Sequence, residues 1–153
     1  MRSVPLNRET LLARLSFIEA SIRSLRRFEG MSFQKFHADP DNFRIAFYDL
    51  QRALEAIMDI GTHILSRIPG ARATSYKDIP LLLGKNKIVA VSFAEKKLLQ
   101  MAGYRNRMVH FYSEITEKEL FNIIQDDLED FERFCAYIDR VISNPAKYGL
   151  DIE

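Results

Sequence analysis

From Asn7 onward the apolar residues Leu11, Leu15, Ile18, Ile22 and Leu25 advance in alternating steps of four and three, which lays them along one face of an α-helix. Gly30 is placed to stop that helix, and Arg23, Arg26 and Arg27 near its end complement the helix dipole. After a link over 32–38, Asp39-Pro40 offers an N-cap followed by a proline at the first helical position, where its missing N–H costs nothing. The stripe Phe43, Phe47, Leu50, Leu54, Ile57, Gly61, Ile64 and Ile68 then predicts a long helix, ended by Pro69-Gly70. A glycine on such a stripe weakens the helix by up to about 1 kcal/mol relative to alanine, so Gly61 points to the close approach of another helix.

Ser75 and Asp78 resemble a capping pair for a short helix over Tyr76 to Leu83, and Gly84-Lys85-Asn86-Lys87 reads as a turn. Ser92-Phe93-Ala94-Glu95 has the pattern of a capping box, which predicts a helix from Phe93 to Tyr112. A second box, Thr116 to Glu119, opens a last helix whose stripe of Phe121, Ile124, Leu128, Phe131, Cys135, Ile138 and Ile142 continues to Asn144-Pro145. Ile88 to Val91 is too short and isolated to pair as a strand. The expected fold is therefore all-α: one domain over residues 1–153, an antiparallel bundle of four long helices plus a short one.

Bulk properties narrow the setting. At 153 residues the chain can bury a core without staples, and its single cysteine, Cys135, falls on an apolar stripe. No disulfide can form within the chain, no run of about 18 apolar residues is available to cross a bilayer, and a reducing cytoplasm is the expected compartment. The net charge of +1 gives little overall attraction to nucleic acid, so any such contact needs a local patch. Lys85, Lys87, Lys96, Lys97, Arg105 and Arg107 are candidates for one, with only Glu95 opposing them. Charge runs are more often solvated helix faces than binding sites, and the acidic stretch after Glu114 invites that reading too.

The most concentrated chemistry lies in Tyr104-Arg105-Asn106-Arg107-Met108-Val109-His110-Phe111-Tyr112. His110 carries a side chain that titrates near neutrality, suited to removing a proton from a ribose 2′-hydroxyl or returning one to a leaving 5′-oxygen. Arg105 supplies planar donors to a phosphate, and Asn106 can orient the imidazole or donate to an oxyanion. Together they suffice for metal-free RNA cleavage by internal transesterification, a route closed to DNA. On a regular helix, however, Arg105 and His110 differ by about 140° around the axis. Either the helix frays at its end, or a second copy donates groups across a two-fold axis, which implies a homodimer with a shared cleft. Arg-x-x-x-x-His alone is a weak pattern, and a histidine near a helix end is often a capping cation. Three scattered histidines and one cysteine give no metal-ligand spacing, and neither a metal nor a cofactor is expected. His37 and His63 receive no role.

Arg105-Asn106-Arg107-Met108-Val109-His110-Phe111-Tyr112 resembles the Arg-Asn-x-x-Val-His-x-Tyr signature of HEPN-domain ribonucleases, specifically the HepT-like toxins of minimal nucleotidyltransferase/HEPN toxin–antitoxin pairs. Ala53 to Gly61 resembles the family's second-helix pattern and Met101 to Tyr104 its lead-in to the motif, so the likeness spans roughly Leu11 to Ile142. The resemblance implies a homodimeric, metal-independent endoribonuclease, with tRNA among its targets. It also implies a nucleotidyltransferase antitoxin that neutralises the toxin by transferring adenylyl groups to the motif tyrosine. Carried over by position, Arg105 and His110 match the catalytic pair, Asn106 the supporting polar residue, and Tyr112 the modified tyrosine; Lys96, Lys97 and Arg107 are the expected RNA contacts. HEPN domains also occur as non-cleaving modules that dock a nucleotidyltransferase and help bind nucleotide or substrate, and that alternative stands beside the toxin.

Overall fold

A computed structural model of the protein describes residues 4–110 and 115–153. Tyr112 lies outside the described residues. The described chain is all-helical, and its only β-like pairing is a single bridge between Leu6 and Ile152 that ties the two ends together. Leu6 N–H donates to the Asp151 carbonyl at 2.8 Å and Glu153 N–H to the Leu6 carbonyl at 2.9 Å.

Helix α1 (Arg8–Leu25) starts at an Asn7 cap whose side chain accepts from Thr10 N–H, and it buries the expected stripe from Leu11 to Leu25. A 3-10 turn, Arg26–Phe28, extends it, and Gly30 then reverses the chain at φ +77°. The link over 32–38 is not a loop: Ser32 caps a short helix, α2 (Phe33–Ala38), which buries Phe36. Six residues hold less than two turns, too few for a periodic stripe to stand out.

Helix α3 (Pro40–Leu65) begins at the Asp39 cap with Pro40 in its first turn, as expected. It is the central element. Leu50, Leu54, Ile57, Ile60 and Ile64 are fully buried, and α1 lies along it as its principal partner. Helix α4 (Asp78–Lys85) crosses it at Gly61, where an added Cβ would collide with Ile79 Cγ2 and come within 3.3 Å of Leu83 Cδ1. The close approach that Gly61 announces is therefore α4 against α3. The start of α4 differs in detail: the Asp78 carboxylate reaches back to accept from Thr74 N–H, Thr74 hydroxyl and Ser75 N–H, which holds its pKa below the ordinary value.

The motif helix is built in three pieces: α5 (Val91–Phe93), a π-helical turn over Ala94–Leu98, and α6 (Leu99–His110). It begins two residues earlier than expected, at an Ala90 cap with no side-chain hydrogen bond, so the Ser92 capping box does not form. Val91 and Ala94 press against Gly84 there, and packing rather than a polar cap sets the start.

The second box forms only by half: the Thr116 hydroxyl accepts from Glu119 N–H at 3.1 Å and caps the helix, while the Glu119 carboxylate turns to Arg107 instead of back to Thr116. The last helix is nevertheless two: α7 (Glu117–Asp126) and α8 (Leu128–Ser143), broken at Asp127. Gln125 is held by α1's end, donating to the Phe28 carbonyl at 2.7 Å and accepting from Gly30 N–H at 2.9 Å. Asp127 follows, its carboxyl pushed up by burial and by Asp130. The apolar stripe runs unbroken across this bend, which is why periodicity conceals it. On α8 Cys135 is buried, and burial pushes its thiol up to about 12, so it behaves as a small apolar side chain.

His63, at the end of α3, has a structural task after all: its Nε2 accepts from Asn7 N–H at 3.0 Å and so holds the start of α1. Burial, and then Arg67, lowers its pKa. Only the neutral ring can accept, so this contact is complete above the ordinary histidine value and is lost as pH falls through the lower folded value. The thermal midpoint of the parent should therefore drop between pH 7.5 and 5.5 by about 2 °C more than that of His63→Gln, which keeps an acceptor and cannot titrate. Parallel pH dependence of the two proteins would remove this role.

Candidate active site

Arg105 sits on the inward face of α6 and is only 7% exposed. Its Nε donates to Glu55 Oε1 of α3 at 2.7 Å, and its Nη1 donates to Asn106 Oδ1 at 3.3 Å. Tyr76, in the loop before α4, covers the guanidinium, with its ring centroid 3.5 Å from Arg105 Cζ. Three elements thus lock one cation in place. A buried guanidinium is tolerated because a carboxylate and an aromatic face replace its hydration.

His110 is the last residue of α6 and is exposed, while Val109 beside it lines an open cleft of about 380 Å³ with Arg14, Phe17, Gln51, Arg52, Glu55, Ala56 and Asp59. Glu55 therefore has two neighbourhoods, holding Arg105 on one side and forming the cleft wall on the other. Asp59, one turn along α3, has its carboxyl raised by burial, with Arg14 at 3.5 Å pulling the other way and Glu55 adding to the rise. Within one chain Arg105, Asn106, Glu55 and Tyr76 come together, and His110 is the exposed last residue of the same helix.

The basic residues do not gather as the sequence suggests. Arg107 forms a bidentate pair with Glu119, at 2.5 and 2.9 Å, pinning α6 to α7. Lys97 lies 3.4 Å from Asp130 of α8, and Lys96 is exposed beside it on the π-helical turn. Thirteen or more residues of helix at about 1.5 Å each put both lysines roughly 20 Å from His110. Arg105, Arg107 and Lys97, three of the cations that look like one patch in sequence, are separately neutralised by Glu55, Glu119 and Asp130. Among the described residues no cluster of three histidine, cysteine, aspartate or glutamate side chains could hold a metal ion, and no helix is long and apolar enough to cross a membrane.

Glu55 and Tyr76 are the partners that residue-by-residue reading missed. Glu55 offers a faint signal, since with Asp59 it places two carboxylates at i,i+4 along the longest predicted apolar stripe. Tyr76 offers none, because a loop position carries no period.

An all-helical domain with this arginine, amide and histidine on the C-terminal half of one helix is a HEPN-type domain. The profile of the family described as "Ribonuclease HepT-like" matches residues 18–138. The chain belongs to the ribonuclease HepT-like family, and ribonuclease is the activity that membership carries. It is 28% identical over 125 residues to the tRNA nuclease HepT of Aphanizomenon flos-aquae, covering 82% of this chain and 84% of that one. It is 29% identical over 130 residues to the mRNA nuclease HepT of Shewanella oneidensis, covering 85% and 96%. Among solved structures, a tri-AMPylated Shewanella oneidensis HEPN toxin in complex with MNT antitoxin aligns with a TM-score of 0.76 at 27% identity, over 86% of this chain and 97% of that one. Bacillus subtilis YutE, 19% identical, aligns with the same TM-score over 90% and 92% and shows likeness of fold.

Proposed function

We propose that this chain is the toxin of a nucleotidyltransferase/HEPN pair, a metal-independent endoribonuclease that works as a homodimer in the cytoplasm. The observation that carries this reading is the anchored Arg105, a buried cation held by Glu55 and Tyr76 on the same helix as an exposed His110. His110 takes the proton from a ribose 2′-hydroxyl; the 2′-oxygen bonds to phosphorus, the bond to the 5′-oxygen breaks, and a protonated imidazole returns a proton to that oxygen. Arg105 carries the charge that grows on the phosphate, and Asn106 fixes the guanidinium from its side. A second copy, facing the first across a two-fold axis, would complete the constellation.

The relatives' substrates support RNA as the target, tRNA first and mRNA as the competing choice. Regulation follows from the AMPylated relative: the antitoxin would transfer adenylyl groups from ATP to Tyr112, placing bulk and negative charge two residues from His110 and repelling an RNA phosphate. Lys96 contributes at most a distant contact, and Lys97 and Arg107 act mainly within the fold. The second reading, a non-cleaving module that docks the nucleotidyltransferase, draws on the burial of Arg105 itself.

Both readings meet one experiment. Purified chain in EDTA should fragment tRNA, and after co-expression with the nucleotidyltransferase its intact mass should rise by adenylyl units, the rise should vanish in Tyr112→Phe, and cleavage should fall. Intact tRNA with every concentration of chain would leave the docking module standing.

A further inference from the structure

Beside the anchored arginine lies a feature that the cleavage chemistry does not use. Phe17 on α1 and Tyr48 on α3 are among the few large apolar side chains left exposed, at 39% and 55%. Arg52, also exposed, lies over both rings, its Cζ 4.7 Å from the Phe17 centroid and 5.3 Å from that of Tyr48, with its Nη1 donating to the Tyr48 hydroxyl. Arg14 reaches the Phe17 ring at 6.0 Å, and its buried Nε makes no hydrogen bond among the described residues, its nearest acid being Asp59 at 3.5 Å. Phe17, Arg14 and Arg52 line the same cleft as Glu55 and Val109, so this pile of planes is continuous with the wall that holds Arg105 and reaches the residue before His110 in the chain.

We infer that Phe17, Tyr48 and Arg52 form a stacking platform for a nucleobase of single-stranded RNA next to the scissile phosphate, with Arg14 and Arg52 serving the adjoining phosphate. Aromatic rings and guanidinium planes are the surfaces on which unpaired bases stack, and they do so with little regard to sequence. Charge agrees: Arg14, Arg52 and Arg105 lie around Glu55 and Asp59, three cations against two carboxylates. The cleft's volume of about 380 Å³ is that of a small-ligand site and accommodates one nucleotide. This platform rests on the ribonuclease reading and adds to it where the enzyme holds its substrate.

The test uses the full-length His110→Ala chain, which should bind without cutting, and measures fluorescence anisotropy of eight-nucleotide oligoadenylate and oligouridylate RNAs over a salt series, with light scattering for oligomeric mass. Phe17→Leu, which keeps apolar volume but removes the ring, should weaken binding about 10-fold, more for oligoadenylate because purines stack better. Arg52→Ala should weaken it and lower the salt slope by about one, whereas Arg52→Lys should weaken it with the slope unchanged. These losses at unchanged mass support the platform. Equal binding in all variants overturns it, as does a loss of binding accompanied by a loss of mass, which would mark the surface as a contact with a second copy. If His110→Ala binds neither RNA and the unsubstituted chain leaves tRNA intact, the ribonuclease reading falls first; tRNA cleavage with variant-insensitive binding removes only the platform.

Discussion

Alanine at either Arg105 or His110 should lower the single-turnover rate of RNA cleavage by about a thousandfold, the combined range of a lost general acid–base and a lost oxyanion donor. The double variant should be little worse than either single one, because two groups acting on one phosphate form a unit whose loss is not additive. His110 is exposed at the end of α6, so its replacement should leave the unfolding midpoint nearly unchanged. Arg105 is not, and His110→Ala is the cleaner of the two probes. If the two halves of the site come from different copies, mixing inactive Arg105→Ala with inactive His110→Ala should restore part of the activity. A mixture as inactive as its parts would place both groups of a working site in one chain.

Removing the anchor should damage both stability and rate. Glu55→Ala leaves a guanidinium that is 7% exposed without its carboxylate. Fully buried pairs broken on one side cost about 3–5 kcal/mol; because the Glu55 side chain is 35% exposed, water can replace part of the loss, and about 1–2 kcal/mol is expected. Denaturant unfolding measures that directly. Cleavage should fall about 10-fold to 100-fold, chiefly in kcat, since a freed Arg105 is misplaced rather than absent. Glu55→Gln keeps an acceptor for Nε and should recover most of the rate but less of the stability. An active, destabilised Glu55→Ala enzyme would confine Glu55 to the fold.

Most of the bundle is legible in the residue pattern, because helix caps and apolar stripes are local. Asp39 and Thr116 cap where their side chains suggest, and the buried stripe of α1 is the one its spacing predicts. What escapes is what depends on partners. The start at Ala90 is decided by the fit against Gly84, and the bend at Asp127 by Gln125 gripping the end of α1. The site follows the same division. Arg105, Asn106 and His110 are visible as a motif, whereas Glu55 and Tyr76 lie fifty and twenty-nine positions away in the chain and meet Arg105 only through folding. Arg107 and Lys97 show the converse, cations whose neutralising acids are distant in sequence and therefore count as free charge until the fold is known.

In the proposed mechanism the chemistry turns on the ribose 2′-hydroxyl beside the phosphate that Arg105 and His110 would address. After the cut has been mapped in a tRNA, a substrate carrying one 2′-deoxy nucleotide at that position should be incubated with the chain in EDTA. Complete protection at that bond, with the unmodified substrate yielding a 2′,3′-cyclic phosphate, is the expected result. Cleavage of the 2′-deoxy bond at the normal rate, or activity that appears only when Mg²⁺ is restored, would contradict it.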